Sequence, residues 1–177
     1  MGAAAEIRRQ TLIRIRERNP GVIYYLDSSA VVKAFSAESG SETVIQILKS
    51  GVPAFSSLVM YPEVLFALRR KRHRKEISED EFESGRTRFE QRWGYFNTIE
   101  LGPALGFLRE RAIRYPLRAL DAIHLSSALW AKERIDRDCR FLCSDLELLK
   151  VAAQEGLEII NPERPDSSPT ASSPSSV

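Results

Sequence analysis

Short apolar runs alternate along this chain with longer stretches in which apolar residues recur every three or four positions. The short runs predict β-strands, and the longer stretches predict amphipathic helices. The predicted strands are residues 22–26, 53–55, 97–100, 140–143 and 157–160. The predicted helices cover about 29–36, 41–50, 57–72, 79–94, 103–114, 119–133 and 146–155. Because helices separate the strands, the pattern indicates an α/β fold with a parallel sheet between helical layers.

The two ends of the chain differ in composition from the middle. Residues 1–20 are rich in arginine and predict a basic helical extension, which stops at Asn19-Pro20-Gly21. Residues 164–177 are rich in proline and serine and contain almost no apolar side chains, which predicts a disordered tail. We therefore expect one folded domain, residues 22–162.

Several predicted helix ends carry recognisable end signals. Residues 39–42 and 78–81 both fit the capping box, in which a serine and a glutamate satisfy free amides at a helix start. Ser28 and Ser144 are predicted to cap the helices that follow them. Gly156 fits a helix stop before the last strand.

The bulk composition of the 177 residues is that of a globular protein, with 43% hydrophobic and 28% charged residues. The net charge of +2 says little about partners. No apolar run approaches the roughly 18 to 20 residues that cross a bilayer, and the arginine-rich start lacks a signal-peptide pattern. We expect a cytoplasmic protein. Cys139 and Cys143 are expected to be reduced, structural thiols.

Four carboxylates stand where the surrounding pattern is apolar, and they are the strongest chemical signal in the sequence. They are Asp27, Glu63, Asp121 and Asp145. An acid inside a buried pattern costs several kcal/mol unless it is paired or binds a cation. Four such acids, spread along the chain, indicate one shared metal site.

The predicted elements bring these acids toward a common edge. Asp27 and Asp145 each end a predicted strand, and ligands of open α/β sheets bind at the carboxyl ends of the strands. Glu63 and Asp121 lie inside predicted helices among apolar neighbours. Ligands that are all carboxylate oxygens favour Mg²⁺ or Mn²⁺ over zinc.

Each acid also has a structural interpretation. Asp145 could be the N-cap of the helix that begins at Leu146, and Asp121 could pair with Arg118 three residues earlier. Asp27 and Glu63 have no obvious basic neighbour in the sequence. Pro62 leaves the start of the predicted helix 57–72 open, because proline is unfavourable inside a helix. The helix must either begin late, with Pro62 in its first turn, or kink.

The motifs around the four acids resemble those of PIN domains, and the set most resembles VapC-type toxins of bacterial toxin–antitoxin pairs. The resemblance covers about residues 22–162 and takes in all four motifs in order. The motif residues are Tyr25-Leu26-Asp27-Ser28-Ser29-Ala30-Val31-Val32-Lys33, Ser56-Ser57-Leu58 through Glu63-Val64, Arg118-Ala119-Leu120-Asp121-Ala122-Ile123-His124-Leu125, and Ser144-Asp145 with Gly156-Leu157 and Asn161-Pro162.

The resemblance implies a three-layer α/β/α domain with a central, mostly parallel sheet, and a Mg²⁺- or Mn²⁺-dependent endoribonuclease. It also implies a homodimer and a cognate VapB-type antitoxin. Asp27 and Asp121 would be direct metal ligands, and Glu63 and Asp145 would bind the metal directly or through water. This chain departs from many relatives near the last acid, where it has Cys143 in place of a serine or threonine, and Leu146 in place of a basic residue.

Two further features have both a functional and a structural interpretation. The basic run 69–75 could contact RNA phosphates or an acidic antitoxin segment, or it could be a solvated helix end, which we slightly favour. His124 lies on the same helical face as Asp121 and could orient a carboxylate, although a packing role or a satisfied polar role is commoner.

Three other functions compete with the nuclease hypothesis. A phosphotransferase with Asp27 as nucleophile would be expected to have a second acid at position 29, where this chain has Ser29. A non-catalytic RNA-binding or scaffold module would gain nothing from four mutually repelling acids. Deoxyribonuclease activity remains an alternative, because a metal site of this kind contacts the phosphate more than the sugar.

Overall fold

The structure, a computed structural model, describes residues 21–164. The predicted basic helix 1–20, and the predicted tail apart from Arg164, lie outside the described residues.

Five strands and seven α-helices alternate through the described part of the chain. The strands are Val22–Leu26 (β1), Ala54–Ser57 (β2), Asn97–Ile99 (β3), Asp138–Leu142 (β4) and Glu158–Ile160 (β5). The α-helices are Ser28–Val31 (α1), Ser41–Lys49 (α2), Met60–His73 (α3), Glu79–Arg92 (α4), Leu101–Arg114 (α5), Ala119–Ile135 (α6) and Leu146–Gln154 (α7). Two 3₁₀ turns, Val32–Ala34 and Trp93–Tyr95, follow α1 and α4.

All five strands pair in parallel, in the order β3-β2-β1-β4-β5. The central strand β1 pairs with β4 over its whole length, from Val22 opposite Asp138 to Leu26 opposite Leu142. Because parallel strands all run the same way, the residues that follow β1 and β4 emerge side by side at one edge of the sheet. The acids at those two strand ends are thereby brought near each other.

Each face of the sheet buries its own apolar core. Tyr25 stacks on Phe141 of the neighbouring strand on the face covered by α6 and α7. Leu26 and Leu142, one residue further along each strand, belong to the opposite core, which is covered by helices α1 to α4. The alternation follows from the two-residue period of a strand. The fold is therefore the expected three-layer α/β/α arrangement, with a sheet that is parallel throughout.

The predicted helices occur, but their first turns differ in detail. The predicted helix 29–36 is a single α-turn that continues as a 3₁₀ turn. The predicted helix 57–72 begins later, at Met60, because Ser57 still belongs to β2. Pro62 is the third residue of α3, where a missing amide hydrogen breaks no helical bond. The late start is therefore the correct alternative.

One of the two capping boxes forms. Ser78 caps α4 reciprocally with Glu81, as expected. The prediction for Ser39 is wrong, because Gly40 precedes α2 with a φ of 85°, and the hydroxyl of Ser41 instead donates to backbone carbonyls. A side chain at Gly40 would come within 2.9 Å of the Pro162 backbone, so this close approach requires glycine.

The predictions that Ser28 and Ser144 act as caps are also wrong. Asp27 and Asp145 cap α1 and α7 instead, since each carboxylate accepts backbone amide hydrogens of the helix that follows.

Both cysteines are free and buried, as expected. Within residues 21–164, no helix combines the length and the apolar character that a membrane crossing requires.

Candidate active site

The four predicted acids meet at the carboxyl edge of the sheet. Asp27 follows β1, and Asp145 follows β4 by three residues. Glu63 and Asp121 lie in the first turns of α3 and α6. The strands and the helix starts that carry the acids therefore converge, although no two of the acids are close in sequence.

Asp27 is the most tightly held of the four. Its side chain is almost fully buried, and its Oδ2 accepts from the Ser29 amide at 2.8 Å and from the Ser29 hydroxyl at 2.5 Å. The Ser29 hydroxyl oxygen in turn accepts from the Ser144 amide at 3.0 Å. Ser29 therefore fixes the Asp27 carboxylate and ties it to the loop that carries Asp145.

His124 binds the two acids on the inner side of the site. Its Nε2 lies 2.7 Å from Glu63 Oε2 and 3.7 Å from Asp27 Oδ1, and its Nδ1 shares a hydrogen bond with the Tyr25 hydroxyl at 2.9 Å. The histidine side chain is only 1% exposed. We call Asp27, Glu63, His124 and Tyr25 the inner half of the site.

Burial and charge shape the protonation of the inner half. Burial lowers the pKa of His124, but the negative charges of Asp27 and Glu63 outweigh it and hold that pKa above its ordinary value. Burial, followed by the Asp27 charge, raises the pKa of Tyr25 well above its ordinary value. The inner half is therefore a buried set in which a histidine partly compensates two carboxylates.

Arg118 performs the equivalent role on the outer side. Its Nε lies 3.4 Å from Asp121 Oδ2, and its Nη2 donates to Asp145 Oδ2 at 3.3 Å. The other oxygen of Asp145 accepts from the amides of Glu147 and Leu148. We call Asp121, Asp145 and Arg118 the outer half of the site.

Cys143 joins the two halves. Its thiol lies 3.6 Å from Asp27 Oδ2, and its sulfur accepts from the Asp145 amide at 3.2 Å. Burial, and then the Asp27 charge, raises the pKa of this thiol well above its ordinary value, so the thiol stays neutral. Cys143 therefore contacts the carboxylate of Asp27 and the backbone of Asp145.

Asp121 experiences the combined field of the acid set. Burial raises its pKa, Arg118 opposes that rise, and the charges of Asp27, Asp145 and Glu63 add to it, so the pKa stands above its ordinary value. The four acids are therefore electrostatically coupled.

The donor chemistry suits a hard divalent cation, because the four acids offer only carboxylate oxygens and their mutual repulsion would be relieved by positive charge. Within residues 21–164, no group of three or more His, Cys, Asp or Glu side chains has the arrangement of a metal-binding cluster. In the structure Glu63 is bound to His124, Asp145 caps α7, and Arg118 spans the outer acids.

Several of these contacts agree with the structural interpretations made from the sequence. Asp145 is an N-cap and Asp121 does pair with Arg118, and both still belong to the acid set. His124 is a buried, satisfied polar group, as favoured from the sequence. Its partners Glu63 and Tyr25 are 61 and 99 residues away, so no local signal could have named them. The metal-binding role of the four acids stays a prediction.

Part of the charge in the basic run 69–75 is compensated by ion pairs, and most of its side chains are exposed. Lys71 pairs with Glu38 and Glu76, and Arg72 pairs with Glu79. This agrees with the solvated helix end that we favoured. Contact of the run with RNA or with an antitoxin stays a prediction.

A groove between α2, α4 and the first 3₁₀ turn lies outside the acid site. Its walls are apolar, and three basic side chains, Lys49, Arg88 and Arg92, border it. Arg88 also donates to the Phe35 carbonyl at 3.3 Å, which holds it against the groove. The apolar wall residues are Ala34, Phe35, Ile45 and Leu48.

The model of the PIN domain family matches residues 24–154, which include all four acids. This chain belongs to the PIN domain family. This PIN domain is similar in sequence to several VapC proteins. These similarities place it among the VapC-type PIN domains.

Two VapC relatives come from Mycobacterium tuberculosis (strain ATCC 25618 / H37Rv). The chain is 32% identical to Ribonuclease VapC49 over 108 residues, which are 60% of this chain and 75% of the relative. It is 30% identical to Ribonuclease VapC46 over 139 residues, which are 78% of this chain and 96% of the relative. Among solved structures, it is similar to PAE2754 from Pyrobaculum aerophilum, with a TM-score of 0.47, 19% identity, and coverage of 73% of this chain and 78% of the other.

Proposed function

We propose that this PIN domain is a Mg²⁺- or Mn²⁺-dependent endoribonuclease, and that it is the toxin of a VapBC-type toxin–antitoxin pair. One observation carries the proposal. An unbroken series of contacts, through His124, Cys143 and Arg118, joins four separate acids at the carboxyl edge of the sheet. The names of the relatives, each a ribonuclease, support RNA as the substrate.

The residues have distinct roles in this proposal. Asp27 and Asp121 would bind the cation directly, and Glu63 and Asp145 would bind it directly or through water. When bound, Mg²⁺ or Mn²⁺ would activate a water and neutralise the charge on the phosphodiester. Ser29 holds the orientation of Asp27, and His124 holds that of Glu63, so the inner carboxylates are fixed before substrate arrives.

The proposal also covers partners. A VapB-type antitoxin would bind the chain, and the groove bordered by Lys49, Arg88 and Arg92 suits a segment that is both apolar and acidic. Two copies of the chain would form a homodimer, and the protein would act in the cytoplasm. A small neighbouring reading frame for a DNA-binding protein would support the pairing.

The test is metal-dependent cleavage of a structured RNA mixture by Asp121→Asn beside the wild type. Asparagine keeps the shape of the side chain but removes its charge, so we expect cleavage to fall by at least roughly a hundredfold, equivalent to about 2.7 kcal/mol of lost transition-state stabilisation. Cleavage should require Mg²⁺ or Mn²⁺ and stop with a chelator. The matched control is Asp138→Asn, an exposed aspartate at the opposite end of β4, which should cleave like the wild type.

Two outcomes would contradict the proposal. Equal cleavage by the wild type and Asp121→Asn would indicate a contaminating nuclease. RNA binding by both proteins without cleavage would favour the non-catalytic RNA-binding module instead.

A further inference from the structure

Arg118 joins two acids that belong to separate elements. Asp121 lies in the first turn of α6, and Asp145 caps α7. The guanidinium reaches both, at 3.4 Å and 3.3 Å. One flexible side chain therefore contacts both carboxylates of the outer half and partly compensates their charge.

The bridge is weakly held, which sets it apart from an ordinary structural ion pair. The Arg118 side chain is 83% exposed, and exposed pairs contribute little because water screens them. Arg118 is the N-cap residue of α6, but its side chain makes no capping hydrogen bond. The helix start therefore does not depend on this side chain, and the guanidinium is free to exchange its partners.

The bridge occupies the carboxylate oxygens that a divalent cation would need. Asp145 uses Oδ1 to cap α7, which leaves Oδ2, and Oδ2 faces Arg118. Asp121 likewise turns its Oδ2 toward Arg118. A cation placed between these oxygens would take the position of the guanidinium and repel it. Cation and arginine therefore compete for the outer half.

A released arginine would still lie at the edge of the acid site. A guanidinium binds phosphate oxygens through two parallel hydrogen bonds, which makes it a stronger phosphate ligand than a lysine. Leu146, the first residue of α7, offers no such contact. Arg118 can supply positive charge to a phosphate at this edge.

We propose that Arg118 is a phosphate-binding residue of this site, which folds back onto Asp121 and Asp145 in the absence of a divalent cation and competes with that cation. The inference rests on the proposed function, because it requires that a cation and an RNA phosphate share the acid site. It predicts that one substitution changes the affinities for the two ligands in opposite directions.

The first measurement is calorimetric titration of the full chain with Mn²⁺. Arg118→Ala should bind Mn²⁺ about three- to tenfold more tightly than the wild type, because the competing charge is gone. Arg118→Lys should lie between them, because a lysine cannot bridge two carboxylates with a planar fork. The matched control is Arg134→Ala, an exposed arginine in the last turn of α6, about 24 Å along the same helix. It should bind Mn²⁺ like the wild type.

The second measurement is binding of a single-stranded oligoribonucleotide in Ca²⁺, a hard cation that also binds carboxylate oxygens. Arg118→Ala should bind this RNA several-fold more weakly than the wild type, and Arg134→Ala should show a smaller loss. Tighter cation binding with weaker RNA binding is the expected signature. A purely structural role would weaken both.

The outcomes separate this inference from the proposed function. If the wild type binds Mn²⁺, Asp121→Asn does not, and Arg118→Ala matches the wild type, then the competition is wrong while the metal site stands. If RNA affinity falls but Mn²⁺ affinity does not rise, Arg118 is an ordinary phosphate contact and the proposal is overturned. If neither the wild type nor Arg118→Ala binds Mn²⁺, both the inference and the proposed metal site fail.

Discussion

The inner and outer halves of the acid site hold their carboxylates in opposite ways. In the inner half, a histidine that is 1% exposed binds Glu63 and Tyr25 inside the core. In the outer half, an arginine that is 83% exposed spans Asp121 and Asp145 from the solvent side. The difference separates two tasks within one site, since buried contacts fix geometry and exposed contacts can exchange with a ligand.

The largest expected effect is on the inner half. His124→Ala would leave the Tyr25 hydroxyl and the inner carboxylates without their buried partner, so we expect the free energy of unfolding to fall by about 3–5 kcal/mol. Chemical denaturation monitored by circular dichroism measures this. His73, the other histidine of the chain, is exposed at the end of α3 and supplies the control His73→Ala. Similar losses in the two variants would mean that the inner half is not a stabilising network.

An acid outside the site sharpens the comparison, because Glu155 is both buried and paired with arginine. Its side chain is 6% exposed and accepts from Arg111 at 2.6 Å and from the Tyr115 hydroxyl at 2.7 Å. Burial raises the pKa of Glu155, but these hydrogen bonds and the charges of Arg111 and Arg114 outweigh it and hold the pKa below its ordinary value of 4.5. Glu155 thus combines the burial of the inner half with the arginine pairing of the outer half.

This lowered pKa gives the direction of a pH effect. A carboxyl group with a lowered pKa contributes stability above its ordinary pKa and loses that contribution as the pH falls through the folded-state value. We expect Glu155→Gln to lower the free energy of unfolding by about 1–3 kcal/mol at neutral pH. The difference from the wild type should shrink as the pH drops below 4.5. Denaturation midpoints across acid pH, with Glu158→Gln as the exposed control, measure it. A difference that stays constant with pH would contradict this interpretation.

The smallest effect belongs to the outer half. Arg118→Ala should change the free energy of unfolding by only about 0–1 kcal/mol, since both of its ion pairs are exposed. Thermal unfolding beside Arg134→Ala, without added divalent cation, measures this. A loss comparable to that of His124→Ala would make Arg118 a structural residue and remove the distinction between the halves.

The sequence predicted the fold better than the details of the site. Alternation of short apolar runs with amphipathic stretches was enough to locate the five strands, because the period of each element follows from its own geometry. Pro62 left two alternatives open, a late helix start or a kink, and the start at Met60 is the first of them. The capping box predicted at Ser39 does not form. Gly40 has a positive φ that allows close packing against Pro162, and this contact joins residues that are far apart in the sequence.

The four acids could be selected as candidate site residues because each one interrupts an apolar pattern locally, and their role in metal binding stays a prediction. The side chains that contact these acids could not be predicted in the same way. His124 reaches Glu63 across 61 residues, and Cys143 reaches Asp27 across 116, so only the sheet order brings them together. Arg118 and Asp121 could be paired from their helical spacing, but the link from Arg118 to Asp145 depends on how α6 and α7 meet.

The central position of β1 has a consequence for protein synthesis. The chain leaves the ribosome from its N-terminus, so β1, β2 and β3 emerge first and can pair while β4 is still being made. Asp27 and Glu63 are then already present, but the neighbouring position on the other side of β1 is empty until β4 arrives with Cys143 and Asp145. A nascent chain therefore carries an incomplete acid set until nearly the whole domain has been translated. The late position of β4 and Asp145 in the sequence delays assembly of the site until synthesis of the domain is almost finished.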